Sequence, residues 1–375
     1  MRLRFQEIFS SAFFLTILFV ASVGAVAASA SSVNVTCTGK VRDTVTLQSA
    51  INSSQSGDAI LIHGTCLLNQ TIVLLGNRSY LGDSRTGTIL QQASGSNLPA
   101  LLASDSWAND YTYTGDPVRI AHMTLDGNSS NNTGTTALVI RSWMSVMEDL
   151  LVENAGGDGI QITSISRNNV PLTTSQVNGR LSNLFITNSG GNGIRVVDAV
   201  NAVTDWDLLD SWIASSGKSA IYMDNAAGWK IRGNHLYGVP EHGIYANACF
   251  STAIEGNYIE EFGISGGSGN TWYGIACTMQ GGSGSVIANN KVFQLNGEPA
   301  SGNFIYIGVP VQNYGEGVLN VAGNVIVGVA GKNNTGLSYQ AGASVKLRVL
   351  SHDNNILNAG TPRVVGKNVT IEVGY

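Results

Sequence analysis

The stretch IYMDNAAGWKIRGNHLYGVPEHGIYANACFSTAIEGNYIE, residues 221–260, contains one pattern twice. Ile221 opens a short alternating run, and Ile244 opens another 23 residues later. Following them in turn, IRGNHL ending at Leu236 and IEGNYI ending at Ile259 each set an Asn between two runs of aliphatic alternation, and Asn234 and Asn257 are again 23 residues apart. A period of this size, with strand alternation and no 3.6-residue periodicity, indicates a solenoid in which each repeat is one coil of short parallel strands.

The same pattern extends in both directions. GDGI at Gly157 to Ile160 and GNGI at Gly191 to Ile194 precede it, KSAIY (218–222) and EHGIY (241–245) lie within it, and WYGIA follows at Trp272 to Ala276. Looser copies are Phe304-Ile305-Tyr306 and Gly336-Leu337-Ser338. The markers Ile160, Ile194, Ile221, Ile244, Ile275, Ile305 and Leu337 are separated by 34, 27, 23, 31, 30 and 32 residues, so the coils carry insertions of different length. Asn290 and Asn324 continue the second pattern, with Asp149, Asn183 and Asp210 expected in the equivalent place earlier. Asn suits a turn between strands because it tolerates the left-handed region and can bond to copies above and below.

Composition agrees with a single such domain. Charged residues are 12% of 375, about half the usual globular share, and 45 residues are glycine. Hydrophobic residues at 43% supply a core, and a net charge of −5 excludes a globally basic nucleic-acid binder. Arg2 and Arg4 before the apolar run Ala12 to Val26, ending in Ala28-Ser29-Ala30, read as an export signal over residues 1–30. The expectation is a secreted chain, residues 31–375, with no stable membrane insertion once the signal is removed.

Residues 31–66 read as an N-terminal cap and first strand. Leu47, Ala50 and Ile51 share one face of a short helix from Asp43, with Asp43 as its N-cap and Gly57 its terminator, before GDAILIHGTC at 57–66. Cys37 and Cys66 either staple this cap or remain buried thiols. Alternation turns Cys249 outward and Cys277 inward, so a bond between them requires a bulge, and Cys277 reads as a core thiol near Ala246 and Ile307.

From Val41 to the C-terminus, this repeat resembles the right-handed parallel β-helix of the pectate-lyase-like superfamily. The resemblance implies an all-β, single-stranded solenoid closed by a short N-terminal helix, and it implies polysaccharide as the partner. It does not carry a subfamily chemistry. The Asp-Asp, Gly-His-Gly and Arg-Ile-Lys of the galacturonan hydrolases are absent, and Lys230-Ile231-Arg232 only inverts the last. The Arg-x-Pro-x-x-Arg of the calcium pectate lyases is absent too. Alginate and chondroitin lyases on this fold use a Lys and an Arg on neighbouring coils, which Lys218 and Arg195 resemble in type but not in chain order.

Candidate site residues follow from the register. Successors of the inward markers point outward and stack as Gln161, Arg195, Tyr222, Tyr245, Ala276, Tyr306 and Ser338. Thr163, Val197, Asp224, Asn247, Thr278, Gly308 and Gln340 form the neighbouring column. Asp158, Asn192, Ser219, His242, Tyr273 and Asn303 form a rim, with Lys218, Glu241 and Trp272 one residue further back. The insertions Thr163–Asn178, Ile264–Thr271 and Gln294–Asn303 are expected to precede this face and wall it.

Tyr222, Tyr245, Trp272, Tyr273 and Tyr306 offer faces for sugar rings, with Asn247 and Asp158 as hydrogen-bonding groups. For β-elimination from a uronate, Arg195 is the candidate carboxylate neutraliser and Lys218, His242 or Tyr245 the base. For hydrolysis, the available carboxylate pair is Asp224 with Glu241 or Asp158. Elimination is slightly favoured. The alternative is a non-catalytic carbohydrate-binding or adhesion solenoid, where Tyr stacking and exposed charges are structural. Asp205, Asp207 and Asp210 are the candidate calcium ligands. Sequons include Asn34-Val-Thr, Asn69-Gln-Thr and Asn368-Val-Thr.

Overall fold

The computed structural model describes residues 31–311 and 316–372; the expected export signal, 1–30, lies outside the described residues. The chain winds as a right-handed parallel β-helix, with each coil contributing a strand to each of three faces. Every strand-to-strand ladder between named strands is parallel.

The first face includes Arg180–Ser182, Asp207–Leu209, Lys230–Arg232, Ala253–Glu255 and Ser285–Ala288. The second includes Phe185–Thr187, Trp212–Ala214, His235–Val239, Tyr258–Phe262 and Lys291–Phe293. The third is an eleven-stranded sheet running from Ile72–Leu74 to Thr361–Val365. Alternation within these strands sends Leu181, Ile186, Ile194, Leu208, Ile213 and Ile221, and their counterparts coil after coil, into one continuous core.

Two corners hold the faces together. At the corner between first and second faces, Asn234, Asn257, Asn290, Asn324 and Asn354 stack in register. Each Nδ2 donates to the Oδ1 of the next, at 2.8 to 3.0 Å. Each also donates to a backbone carbonyl of the preceding coil, Leu208 for Asn234 and Ile231 for Asn257. These ladder residues are not the left-handed ones. The positive φ belongs to the residue before: Gly233, Gly256, Asn289, Gly323 and Asp353. Asp149, Asn183 and Asp210 hold that preceding position, so the ladder equivalents are one residue later, Ser211 among them.

At the corner entering the third face, the second Gly of each Gly-x-Gly-Ile motif is required by close approach. A Cβ at Gly193 would lie 2.3 Å from Ile213 Cγ2, and one at Gly243 2.7 Å from Ile259 Cγ2. Two successive residues, the glycine and its marker, therefore both face inward here.

The cap helix spans Asp43–Ser53 and buries Leu47 and Ile51 over the core. Its N-cap is Arg42 and its C-cap Ser54, displacing the expected Asp43 and Gly57. Asp43 is the first helical residue, and its carboxylate turns back to accept the N–H groups of Thr38 and Lys40. Burial opposes ionisation there, but these bonds hold the carboxyl below its ordinary value. Cys37 and Cys66 are bonded across the cap.

Cys249 and Cys277 are also bonded, and Cys249 is buried. Cys277 is thus not a core thiol. The register shifts between Ala246 and Cys249, with Ala248 at φ 54°, and this bulge turns Cys249 inward.

Candidate functional site

The third face places the outward column much as alternation requires. Gln161, Arg195, Tyr222, Tyr245, Ala276, Gly308 and Ser338 are successive partners in register. Tyr306 is not among them. Ile307, rather than Ile305, pairs with Ile275, and Tyr306 falls opposite Gly274 at the inward corner. It is fully buried, packs edge-on against Phe262 at 5.4 Å, and donates its hydroxyl to Glu298 Oε1 at 2.7 Å. Burial raises both its phenol and the Glu298 carboxyl above their ordinary values. The rim shifts likewise, since Tyr273 pairs with Ile305 and not Asn303.

Along the outward column, three coils are locked together. Arg195 Nη2 donates to both Asp224 oxygens at 2.9 and 3.0 Å. The Arg195 guanidinium carbon lies 4.5 Å from the centroid of Tyr222, and Tyr222 stacks on Tyr245 at 5.1 Å and 11°. Both faces of the Tyr222 ring are therefore covered, by a cation on one side and a phenol on the other, and only its edge and hydroxyl are presented outward. Asn247 Oδ1 accepts the Thr278 hydroxyl at 3.0 Å on the neighbouring column.

The rim is a second ladder. Asn192 donates its N–H and its Nδ2 to Asp158 Oδ1, Ser219 N–H donates to Asn192 Oδ1, and His242 N–H donates to Ser219 Oγ. Tyr273 N–H then donates to His242 Nδ1 at 3.1 Å. Each side chain serves a backbone donor of the next coil, which is why this column is polar although it is mostly buried. Because Nδ1 must accept, the neutral ring carries its proton on Nε2. Burial among Tyr245, Trp272 and Tyr273, whose centroids lie 4.6 to 5.7 Å away, pulls the imidazole down to about 4. His242 is thus a neutral hydrogen-bond donor at physiological pH, with no lone pair free to act as base.

Tyr273 lies over Gly308, and burial pushes its phenol up to about 12. Trp272 is pinned by its Nε1, which donates to Gly266 O at 2.8 Å. Lys218 is exposed on the turn before the third face. Glu241 N–H lies 3.4 Å from Lys218 O, and its Oε2 accepts the Ser219 hydroxyl.

The walls differ from expectation on one side. Ile264–Thr271 and Gln294–Asn303 do lead into the third face, but Thr163–Asn178 follows the strand Ile160–Thr163 and leads to the first face. It joins the loop after Ala100–Ser104 through Arg141, which sequence reasoning missed. This wholly buried guanidinium donates to Ser106 O, Tyr111 O and Val170 O at 2.6 to 2.9 Å, and burial lowers it to about 10. Asp198 was missed too. Burial opposes its ionisation, but N–H donors from Ala202, Asn225 and Val203 hold it below its ordinary value. Asp198 lies outside the columns, and Arg141 stands one coil before the first Gly-x-Gly-Ile marker, so the repeat pattern does not single them out.

Asp205, Asp207 and Asp210 do not converge. Asp207 pairs with Lys230 at 3.3 Å and Arg180 at 3.7 Å, Asp205 takes the Thr204 hydroxyl, and Asp210 sits in the left-handed turn. Among the described residues no group of three or more His, Cys, Asp or Glu is arranged to hold a metal ion. A cleft of about 570 Å³ opens between third and first faces, lined by Asn201, Asp205, Phe250 and Gln280, away from the Arg195 to Tyr273 cluster.

No family model and no curated protein sequence matches the chain. Solved structures do match. The Azotobacter vinelandii mannuronan C-5 epimerase AlgE4 A-module aligns with TM-score 0.57 at 14% identity, over 90% of this chain and 98% of the other. The Yersinia enterocolitica family 28 exopolygalacturonase aligns with TM-score 0.55 at 12% identity, over 92% and 78%. An alginate lyase from Paenibacillus gives 0.50 at 15%, over 90% and 98%. At these identities the likeness shows the fold alone, a right-handed parallel β-helix.

Proposed function

We propose that this chain is an exported enzyme that binds an extended uronate-containing polysaccharide along the third face and cleaves it by β-elimination. Three structural neighbours named for polysaccharide substrates support the substrate class. The observation that carries the reading is the aromatic enclosure of His242, a neutral donor on the coils next to a guanidinium–carboxylate pair. An ionised uronate holds its C5 proton tightly, so elimination needs its carboxylate neutralised before a base can act. Arg195 is already charge-paired with Asp224 through Nη2. Lys218, exposed on the adjoining turn, is then the neutralising cation, and His242 Nε2–H adds a hydrogen bond to the developing enediolate. Tyr245 is the base: its phenol oxygen, its own proton given up to solvent, takes the C5 proton, the C5–H electron pair forms the C4–C5 double bond, and the C4–O bond breaks with its pair on the leaving oxygen, which takes a proton back from the Tyr245 hydroxyl. Hydrolysis is less well served, because the Asp224 carboxylate is committed to Arg195.

The test is an assay of the mature protein on alginate, polygalacturonate and neutral glucans, following ultraviolet absorbance of unsaturated ends together with new reducing ends. Both signals rising, and both falling by at least a hundredfold in Tyr245→Phe with the circular dichroism spectrum unchanged, is the expected result. Reducing ends alone would establish hydrolysis. Retention on an immobilised glycan without either signal would establish a binding solenoid.

A further inference from the structure

Nine Asn lie between residues 34 and 132, and six of them, Asn34, Asn52, Asn69, Asn77, Asn128 and Asn131, have Ser or Thr two places on, with no proline between. Ser and Thr together are 64 of 375 residues, so chance supplies a hydroxyl there about one time in six, and six of nine is about four times that. Five of the six are exposed and Asn128 is half-buried. Of the twenty Asn between 154 and 324, none has one. Part of that absence is structural, since residues two places after the ladder Asn, such as Leu236 and Ile259, are in the core.

Placement gives the pattern its meaning. Asn69, Asn128, Asn131 and a further exposed sequon at Asn333 all occupy turns that lead from the second face into the third, the turns on whose intervening copies Asp158, Asn192, Ser219 and His242 stand. They lie before the strand Ile160–Thr163 and after the strand Asn303–Val309. From Ile160–Thr163 to Asn303–Val309 inclusive there are six third-face strands, spanning about 24 Å at ~4.8 Å per coil.

We propose that the protein is N-glycosylated on its N-terminal coils and at Asn333, and that these glycans bracket the candidate groove at both ends while leaving the six coils between them bare. The inference rests on export, which residues 1–30 predict, and not on any catalytic assignment. In each modification the Asn Nδ2 forms a bond to the anomeric carbon of a lipid-diphosphate-linked oligosaccharide as the C1–O bond to the diphosphate breaks. The nitrogen releases one proton and the lipid diphosphate leaves.

The experiment is mass spectrometry of the protein purified from its own source, before and after peptide-N-glycosidase in ¹⁸O water. The expected result is a heterogeneous mass that collapses on treatment, with ¹⁸O-labelled Asp at Asn69, Asn131 and Asn333 and at two or more of the remaining sites. Secretion of Asn69→Gln, Asn131→Gln and Asn333→Gln variants should each remove one step of electrophoretic mobility. A source-purified chain with the bare polypeptide mass would overturn the proposal, whether it is recovered outside the cell or within it. Recovery outside would leave export standing, and neither outcome bears on polysaccharide cleavage.

Discussion

Replacing Asn257 with Ala should cost about 4 kcal/mol of folding stability, far more than its small size suggests. In the ladder its Oδ1 accepts two donors from Asn234, N–H at 3.1 Å and Nδ2 at 3.0 Å, while its own Nδ2 donates to Ile231 O and Asn290 Oδ1, both at 2.9 Å. Alanine removes all four bonds and retains the two backbone ones, N–H to Asn290 Oδ1 and C=O from Lys291 N–H. A buried hydrogen bond contributes roughly 1 kcal/mol net, so four give about 4, and the orphaned Asn234 N–H adds a desolvation cost that an entering water would partly offset. The assay is urea unfolding followed by tryptophan fluorescence, with Asn296→Ala, exposed outside the ladder, as control. The fluorescence signal is favourable because Trp229 and Trp206 are buried one and two coils away, respectively. A loss under about 1 kcal/mol for Asn257→Ala would refute the claim that the side-chain ladder, rather than the backbone sheet, holds this corner.

Other outcomes follow from the same geometry. His242 titrates near 4 when folded against about 6.5 unfolded, so the unfolded chain binds the extra proton between these values and stability falls as pH drops through that window, by about 3 kcal/mol in full. Unfolding midpoints measured from pH 7 to pH 4 should show this loss, and His242→Gln, which keeps an acceptor for Tyr273 N–H, should flatten it. Opening the Cys249–Cys277 bond by the double Ala substitution releases a closure of 28 residues and should lower stability by about 3 to 4 kcal/mol, read as a shift in thermal midpoint.

Much of the fold was legible because period and parity are robust. Ile160, Ile194, Ile221, Ile244 and Ile275 are in register as the sequence spacing predicts. Parity failed where the backbone departs from a flat strand. At the Gly corner two consecutive residues face inward, so Tyr306, in the glycine's place, reads as outward by counting and is core in fact. At Ala248 one bulged residue inverts Cys249. Choosing Ile305 over Ile307 left alternation intact, because a two-residue slip preserves parity and only the neighbouring coil resolves it. At the site, the columns brought Arg195, Tyr222, Tyr245, Asp224 and His242 near one another. What lay beyond reach was the pairing within them: that Arg195 spends both donors of one nitrogen on Asp224, and that His242 serves the backbone of Tyr273.

The asparagine stack also has a direction. In every one of its links, Oδ1 points toward the earlier coil and Nδ2 toward the later one, so the amide dipoles align head to tail from Asn234 to Asn354. Turning over one amide would set oxygen against oxygen on one side and nitrogen against nitrogen on the other, and turning over all five together is blocked because the carbonyls of Leu208, Ile231, Ile254, Ile287 and Val321 need donors. The stack is therefore a polar filament, frozen in one sense, with its positive pole at the C-terminal coil. Its amides polarise one another in series, so isotope-edited vibrational spectra of these side chains should report a coupled mode instead of five separate oscillators.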